Sequence, residues 1–236
     1  MDGQHAGGAT AVKISVIVPT YNEEALIGET LARACEALSP HEVFVADGCS
    51  TDRTVQIASR YGRALTCGMT RGAGLNHVAA MATGDVLLFL HADTRVPVGA
   101  ATQIEAALRE AGVVGGAFRL RLDDPGRAAR VVAHAVNLRS RLLNTFFGDQ
   151  AMFVRREVFL RAGGYQDWSV MEDLEILARL RRCGQLTLLP AEVVTSARRH
   201  RRQGWLKTVA LIWVMSLLTR LGVPGQALAW LYKPQR

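Results

Sequence analysis

The run Val86-Leu87-Leu88-Phe89-Leu90 has no polar residue at alternate positions, so a strand here buries both of its faces. Strands of that kind lie in sheets covered by helices on both sides, and the preceding residues supply the helices. Ile14 to Val18 is an apolar run rich in β-branched residues, closed by Pro19; Glu23 to Ala37 then sets Leu26, Ile27, Leu31 and Ala34 at helical spacing. Glu42 to Ala46 repeats the strand and Asp52 to Arg60 the helix, with Ser50 or Thr51 offering an N-cap hydroxyl. Arg71 to Thr83 is a further helical stretch leading into Val86. Such β-α units predict an α/β domain with a mostly parallel sheet, whose ligands sit beyond the carboxyl ends of the strands.

The second half is organised differently. Val114 to Leu122 alternates partly, Gly126 to Asn144 reads as a basic amphipathic helix, Gln150 to Val154 as a short strand, and Met171 to Cys183 as a helix through Leu174, Leu177, Ala178 and Arg181. Trp205 to Leu221 is apolar but carries Lys207 and Arg220, and the uncharged run Val209 to Leu218 is short of the ~20 residues a spanning helix needs. A buried or interfacial helix is expected there. At ~100 to 200 residues per domain, 236 residues make one generous domain with an appended helical segment. The expected division is a loose leader over residues 1–12, a main domain over 13–202 with halves at about 13–97 and 98–202, and a helical extension over 203–236. Residues 1–11 lack the basic start and apolar run of a signal peptide, so a cytoplasmic protein is expected.

Charge divides with the halves. Residues 1–118 carry net −4 and residues 119–236 net +11, within a total of +7. That division suits a cleft in which carboxylates hold a cation while arginines meet phosphate or an anionic surface; it equally suits a polarised solvated face. The four cysteines are scattered, with no Cys-x-x-Cys pair, and indicate neither a zinc knuckle nor a disulfide scaffold.

Three loops follow the three strands. Pro19-Thr20-Tyr21-Asn22-Glu23-Glu24 ends the first; Thr20 and Tyr21 can hydrogen-bond or stack on a planar base, and N–H groups entering the helix favour an anion. A plain turn capped by Asn22 explains the same residues. Asp47-Gly48-Cys49-Ser50-Thr51-Asp52 ends the second: Asp47 can accept a hydrogen bond from a base or ribose, Gly48 lets a ligand approach the backbone, and Asp52 suits a helix N-terminus. In His91-Ala92-Asp93-Thr94 an extended chain points His91 and Asp93 to one side, which suits Mn²⁺ or a similar ion, or else a capped turn. Further on, Gly148-Asp149-Gln150, Met171-Glu172-Asp173 and the basic run Arg198 to Arg202 around His200 stand out.

In this order and after these strands, the loops resemble the glycosyltransferase family 2 enzymes of the GT-A fold, over about residues 14–205. Within them the chain is most similar to a small bacterial "transferase 2" subgroup marked by His-Ala-Asp-Thr, Gly-Asp-Gln and Met-Glu-Asp. The resemblance implies a Rossmann-like, mostly parallel central sheet with flanking helices and a C-terminal helical segment. It implies an inverting transfer of sugar from a nucleotide-diphosphate-sugar donor to a hydroxyl acceptor, assisted by Mn²⁺ or Mg²⁺. Pro19, Thr20, Tyr21, Glu23, Asp47 and Arg71, with Ala92 and Asp93, fall on its nucleotide-binding positions. Its Asp-x-Asp metal motif has His91 in place of the first Asp, leaving Asp93 as the ligand carried over and His91 as a second candidate. Asp173 takes the place of the base with Glu172 in support, and Gly148, Asp149 and Gln150 shape the acceptor pocket. Arg198, Arg199 and Arg202 are candidates to clamp the diphosphate, with Arg201-Arg202-Gln203-Gly204-Trp205 an imperfect match to the family's Gln/Arg-x-x-Arg-Trp element. His200 is a possible extra ligand, and Trp168 a sugar platform or core residue.

Two other functions fit less well. A nucleotidyltransferase wants a Lys-containing, Gly-rich loop after the first strand, and Thr20 to Gly28 has no Lys. A nucleic-acid-binding module wants aromatics interleaved with its basic run; Arg198 to Arg202 has none and aromatics are 6% overall, so no nucleic-acid partner is expected. Arg119 to Arg141 and the apolar helix near Trp205 can hold the chain peripherally to the inner face of a membrane, which suits a lipid-linked acceptor, or can pack in a soluble protein.

Overall fold

Period-two alternation decides which face each strand residue covers. The computed structural model describes residues 12–232. In it β1 (Ile14–Thr20), α1 (Ile27–Leu38), β2 (Glu42–Asp47), α2 (Thr54–Ala58), β3 (Arg63–Thr66), α3 (Arg71–Met81) and β4 (Val86–Phe89) form a parallel half-sheet in the order β3-β2-β1-β4. Val16, Val18, Val86 and Leu88 turn to one face and meet Ile27, Leu31 and Ala34 of α1. Ile17, Leu87 and Phe89 turn to the other and meet Leu75 and Val78 of α3. The apolar run at 86–90 is therefore covered on both sides, as its composition requires. The leader expected over residues 1–12 lies outside the described residues except for Val12.

The second half adds β5 (Thr94–Arg95), α4 (Ala100–Arg109), β6 (Val113–Leu122), α5 (Arg127–Leu143), β7 (Met152–Arg155), α6 (Arg156–Arg161), α7 (Glu172–Cys183), β8 (Gln185–Thr195), α8 (Arg198–Gln203), α9 (Trp205–Arg220) and α10 (Gly225–Leu228). The sheet continues β4-β7-β6-β8-β5, with β7 antiparallel to β4 and β6, β8 parallel to β6, and β5 antiparallel to β8. Four of the seven pairings are parallel, so the sheet is mostly parallel, with an antiparallel strand at its centre.

The antiparallel pairings do the positioning. Because β7 runs back along β4, Met152 lies opposite Phe89, and the Gly148–Ala151 turn arrives at the carboxyl end of β4. Because Thr94 lies opposite Thr195, the end of β8 arrives beside Asp93, where the Ser196 N–H donates to the Asp93 carbonyl at 3.1 Å. The C-terminal segment closes over the same end: Met215 of α9 and Leu228 of α10 are buried against Val170 and Met171. Among the described residues no helix is long and apolar enough to cross a membrane.

Candidate active site

The carboxyl ends of β1, β2 and β4 lie side by side, since Thr20 pairs with Asp47 and Ile17 with Phe89. The loops leaving them border one cavity of about 680 Å³. The first two loops are tied together. Thr20 Oγ1 donates to Asp47 Oδ1 at 3.0 Å, Ser50 N–H to Asp47 Oδ2 at 2.8 Å, and Gly48 N–H to the Thr20 carbonyl at 2.8 Å. Asn22 does not cap α1. It sits in the left-handed region (φ 54°), donates its N–H to Ser50 Oγ and accepts from Thr51 N–H, each at 2.8 Å.

Cys49, Ala151 and Met171 have φ of 66°, 48° and 61°. With Asn22 these are four of the six described non-glycine residues at positive φ, and all four flank the cavity loops; strained backbone of this kind collects where a fold holds side chains for chemistry.

Carboxylates crowd the third loop. Burial raises the Asp93 carboxyl to about 6, with Glu23 and Asp149 pushing the same way and Arg198 opposing them. Asp149 is also raised to about 6 by burial, against the pull of Arg139 and with the push of Asp173. Arg198 pairs with Glu23 Oε1 at 2.6 Å, but Glu23 Oε2 and Asp149 Oδ1 are buried without a hydrogen-bond partner. Hard oxygens that are buried and under-neutralised suit a divalent cation. Among the described residues no three His, Cys, Asp or Glu side chains group closely enough to hold a metal unaided, so an ion bound here would need oxygens from a ligand to complete its shell.

Facing this wall, Asp173 lies in the first turn of α7. Its Oδ2 accepts from Gly148 N–H and its Oδ1 from Leu174 N–H, both at 2.8 Å. Beside it Glu172, 1% exposed, pairs with Arg71 Nε at 3.1 Å; burial raises its carboxyl, Arg71 resists and Asp173 adds to the rise. Arg71 Nη2 also abuts His91 Nε2, and burial together with Arg71 holds that imidazole well below its usual range, hence neutral. Arg71 itself stands on an anchored helix start: Gly72 N–H donates to the Trp168 carbonyl at 2.9 Å, and Asn76 exchanges two 2.8 Å bonds with the Tyr165 backbone.

The family model for "Glycosyl transferase family 2" matches residues 15–163, more than half of the chain. The chain belongs to glycosyl transferase family 2. Among curated proteins this family 2 chain is 27% identical to beta-monoglucosyldiacylglycerol synthase of Synechocystis sp., over 82% of the chain and 47% of that protein, so it spans about half of that relative's length. Its fold is that of mannosyltransferase PcManGT from Pyrobaculum calidifontis, solved with GDP-Man and Mn²⁺ (TM-score 0.66, 21% identity, 97% of this chain and 67% of that one). Glucosyl-3-phosphoglycerate synthase from Mycobacterium tuberculosis, solved with Mn²⁺, UDP and glucosyl-3-phosphoglycerate, is similar too (TM-score 0.61, 20% identity, 90% and 81%). The fold is thus α/β of the GT-A glycosyltransferase kind.

Within the family 2 cavity stand Pro19, Thr20, Tyr21, Glu23 and Asp47 from the first two loops, and Arg71, His91, Ala92 and Asp93 from α3 and the third loop. Asp149, Asp173, Arg198, Arg199 and His200 complete the expected set there. Four expected residues stand back from it. Gln150 is fully buried, accepting from Ser140 Oγ at 3.0 Å and donating to the Phe118 carbonyl at 3.1 Å, which fastens the turn that carries Asp149. Gly148 is required for space: a Cβ would lie 2.3 Å from His91 Nε2. Glu172 acts behind Arg71, and Arg202 is exposed on α8. Trp168 packs on Gly225 of α10, where a Cβ would lie 2.7 Å from its ring.

The cavity also has walls that sequence patterns did not single out. Tyr232, under the Arg199 guanidinium at 3.5 Å, and Ile212 of α9 bring the C-terminal segment to it. Phe147, with Arg139 over its ring at 4.1 Å, borders the Asp149 side. Arg139 stands eight residues before Phe147, a separation that carries no motif, and Tyr232 follows no motif at all; only the folded chain reveals them.

Proposed function

We propose that the chain transfers a sugar from a nucleotide-diphosphate donor to a hydroxyl acceptor by a single displacement that inverts the anomeric carbon. The observation that carries this reading is that Asp47, Asp93 and Asp173, far apart in the chain, border one cavity. The GDP-Man and Mn²⁺ held by the Pyrobaculum mannosyltransferase support a donor and ion of these classes.

The nucleotide occupies the ends of β1 and β2. Tyr21 offers a ring to the base, and Asp47, oriented by Thr20 and Ser50, accepts from base or ribose. The diphosphate lies towards Arg198 and Arg199, and Arg198 exchanges its Glu23 partner for phosphate oxygens. Asp93 would hold the divalent ion together with diphosphate oxygens, Glu23 and Asp149 adding negative field; His91 reaches an ion only by releasing Arg71, so Asp93 is the favoured ligand. Such an ion, Mn²⁺ or Mg²⁺, offsets the charge that develops on the leaving diphosphate without proton transfer.

Asp173 is the base. Its carboxylate, held by the N–H groups of Gly148 and Leu174, takes the proton of the acceptor hydroxyl as that oxygen attacks the anomeric carbon. The bond from the anomeric carbon to the diphosphate oxygen breaks, and the nucleoside diphosphate leaves with the electron pair. Glu172 keeps Arg71 in place behind the site. Asp173→Asn is expected to lower turnover by roughly 10² to 10⁴ while nucleoside diphosphate affinity, read by calorimetry, stays near that of the unmodified chain. Asp93→Ala is expected to remove the Mn²⁺-dependent part of that affinity. Undiminished transfer by Asp173→Asn ends the assignment of the base.

A further inference from the structure

We infer that the face built by α5 and α9 docks on an anionic lipid bilayer. Leu206, Trp213 and Leu217 of α9 and Leu221 just past its end recur at intervals of seven and four, with Val214 alongside, and they are 88%, 56%, 58%, 73% and 50% exposed respectively. That is one outward stripe, because the buried Thr208 and Met215 lie on the opposite side of the helix. On α5, Val131, Leu138 and Leu142 recur at the same intervals and are also exposed. Arg127, Arg130 and Arg141 are exposed along one flank of that stripe.

The two helices are tied together at both ends. Trp205, which opens α9, packs into the cluster that holds Ala129, Val132 and Val136 of α5, while Arg220, which closes α9, donates to Thr145 Oγ1 at 3.1 Å just past the end of α5. Two exposed apolar stripes so joined exceed the scattered single residues that a solvated surface tolerates.

Charge selects the occupant. No acidic residue occurs from 125 to 148 or from 193 to 232, so neither helix nor its surroundings in sequence offers a carboxylate. At the junction Arg181 and Arg220 both donate to Thr145 Oγ1, at 3.2 and 3.1 Å, Arg181 donating also to the Leu143 and Asn144 carbonyls that end α5. Two guanidinium groups sharing one hydroxyl are matched to a phosphate, and an apolar stripe flanked by arginines is matched to the boundary between headgroups and acyl chains. Trp213 and Trp230, 56% and 74% exposed, are of the side-chain type that settles at that boundary. Phe147 after α5 and Ile212 of α9 border the cavity, so the face adjoins the acceptor side of the site. A membrane held there delivers a lipid-borne hydroxyl; that consequence rests on the proposed transfer, whereas the docking does not.

The test is flotation of the full chain with phosphatidylcholine vesicles and with vesicles containing phosphatidylglycerol, at low and high salt. The expected result is co-flotation with the anionic vesicles, weakened by salt, and reduced tenfold or more in Leu142→Glu/Leu217→Glu and in Arg127→Glu/Arg130→Glu/Arg141→Glu. All five side chains are exposed, and unchanged circular dichroism and melting temperature establish that the variants are folded. A blue shift of tryptophan emission on anionic vesicles, lost in Trp213→Phe, locates the contact on α9. No flotation at low salt, equal flotation of the variants, or a dimer in solution that Leu217→Glu splits would each overturn the inference.

Discussion

Asp149→Asn removes a buried charge and keeps its shape. Burial holds this carboxyl at about 6, with Asp173 adding to the rise and Arg139 opposing it, against an ordinary 3.8. The native chain therefore binds the proton more tightly than the unfolded chain. This carboxyl detracts nothing from stability below about pH 3.8, and the loss grows as pH rises until it is complete above about pH 6. At about 1.4 kcal/mol for each tenfold difference, the ionised group costs about 3 kcal/mol at pH 7.5. The new amide takes a site where Asp149 Oδ1 already lacks a partner, and an unpaired polar group returns about 1 kcal/mol of that. The variant should be more stable by about 2 kcal/mol at pH 7.5, or roughly 4 to 8 °C in melting temperature for a chain of this size. At pH 4.5 most of the gain should vanish. Urea denaturation of the unliganded chain at the two pH values measures it. A variant no more stable than the parent at pH 7.5, or one with an equal gain at both, would refute the reasoning. The gain should come with slower transfer, since a carboxylate beside Asp93 and Asp173 has been neutralised.

Other consequences are more local. Gly148→Ala drives a methyl group to 2.3 Å from His91 Nε2 and 3.2 Å from Arg71 Nη2; a loss of about 1 to 3 kcal/mol in denaturation, and a larger loss of turnover than of nucleotide affinity, are expected. Arg198→Met removes the cation facing Glu23 and Asp93, so calorimetry should show nucleoside diphosphate binding weakened by about tenfold or more, as for a lost charged hydrogen bond.

Much of the first half of the chain was legible because its strands are covered on both faces. The runs at 14–18, 42–46 and 86–90 have no polar alternation, so they read as strands and their loops as the site. What escaped was less uniform. β3 is a half-exposed edge strand of four residues, too short and too polar to stand out. β8 carries Pro190 and pairs with β6 through a register shift at Phe118/Arg119, which breaks the period that reading relies on. Yet β8 delivers Ser196 and Arg198 to Asp93, a placement fixed by its pairing with β5. Gln150 shows the limit of motif reading: it shares the turn of Asp149 but fastens that turn from beneath. Tyr232 reaches the cavity only because α9 and α10 fold back over Val170 and Met171, and no local pattern encodes that return.

The measurement that bears most directly on the account is a crystal structure with a nucleoside diphosphate and Mn²⁺, using the anomalous signal to locate the ion. The account predicts the ion at the Asp93 carboxylate on diphosphate oxygens, the nucleoside beside Asp47, and Asp173 facing the diphosphate across open space. A nucleotide bound elsewhere, or a manganese peak remote from Asp93, would contradict it.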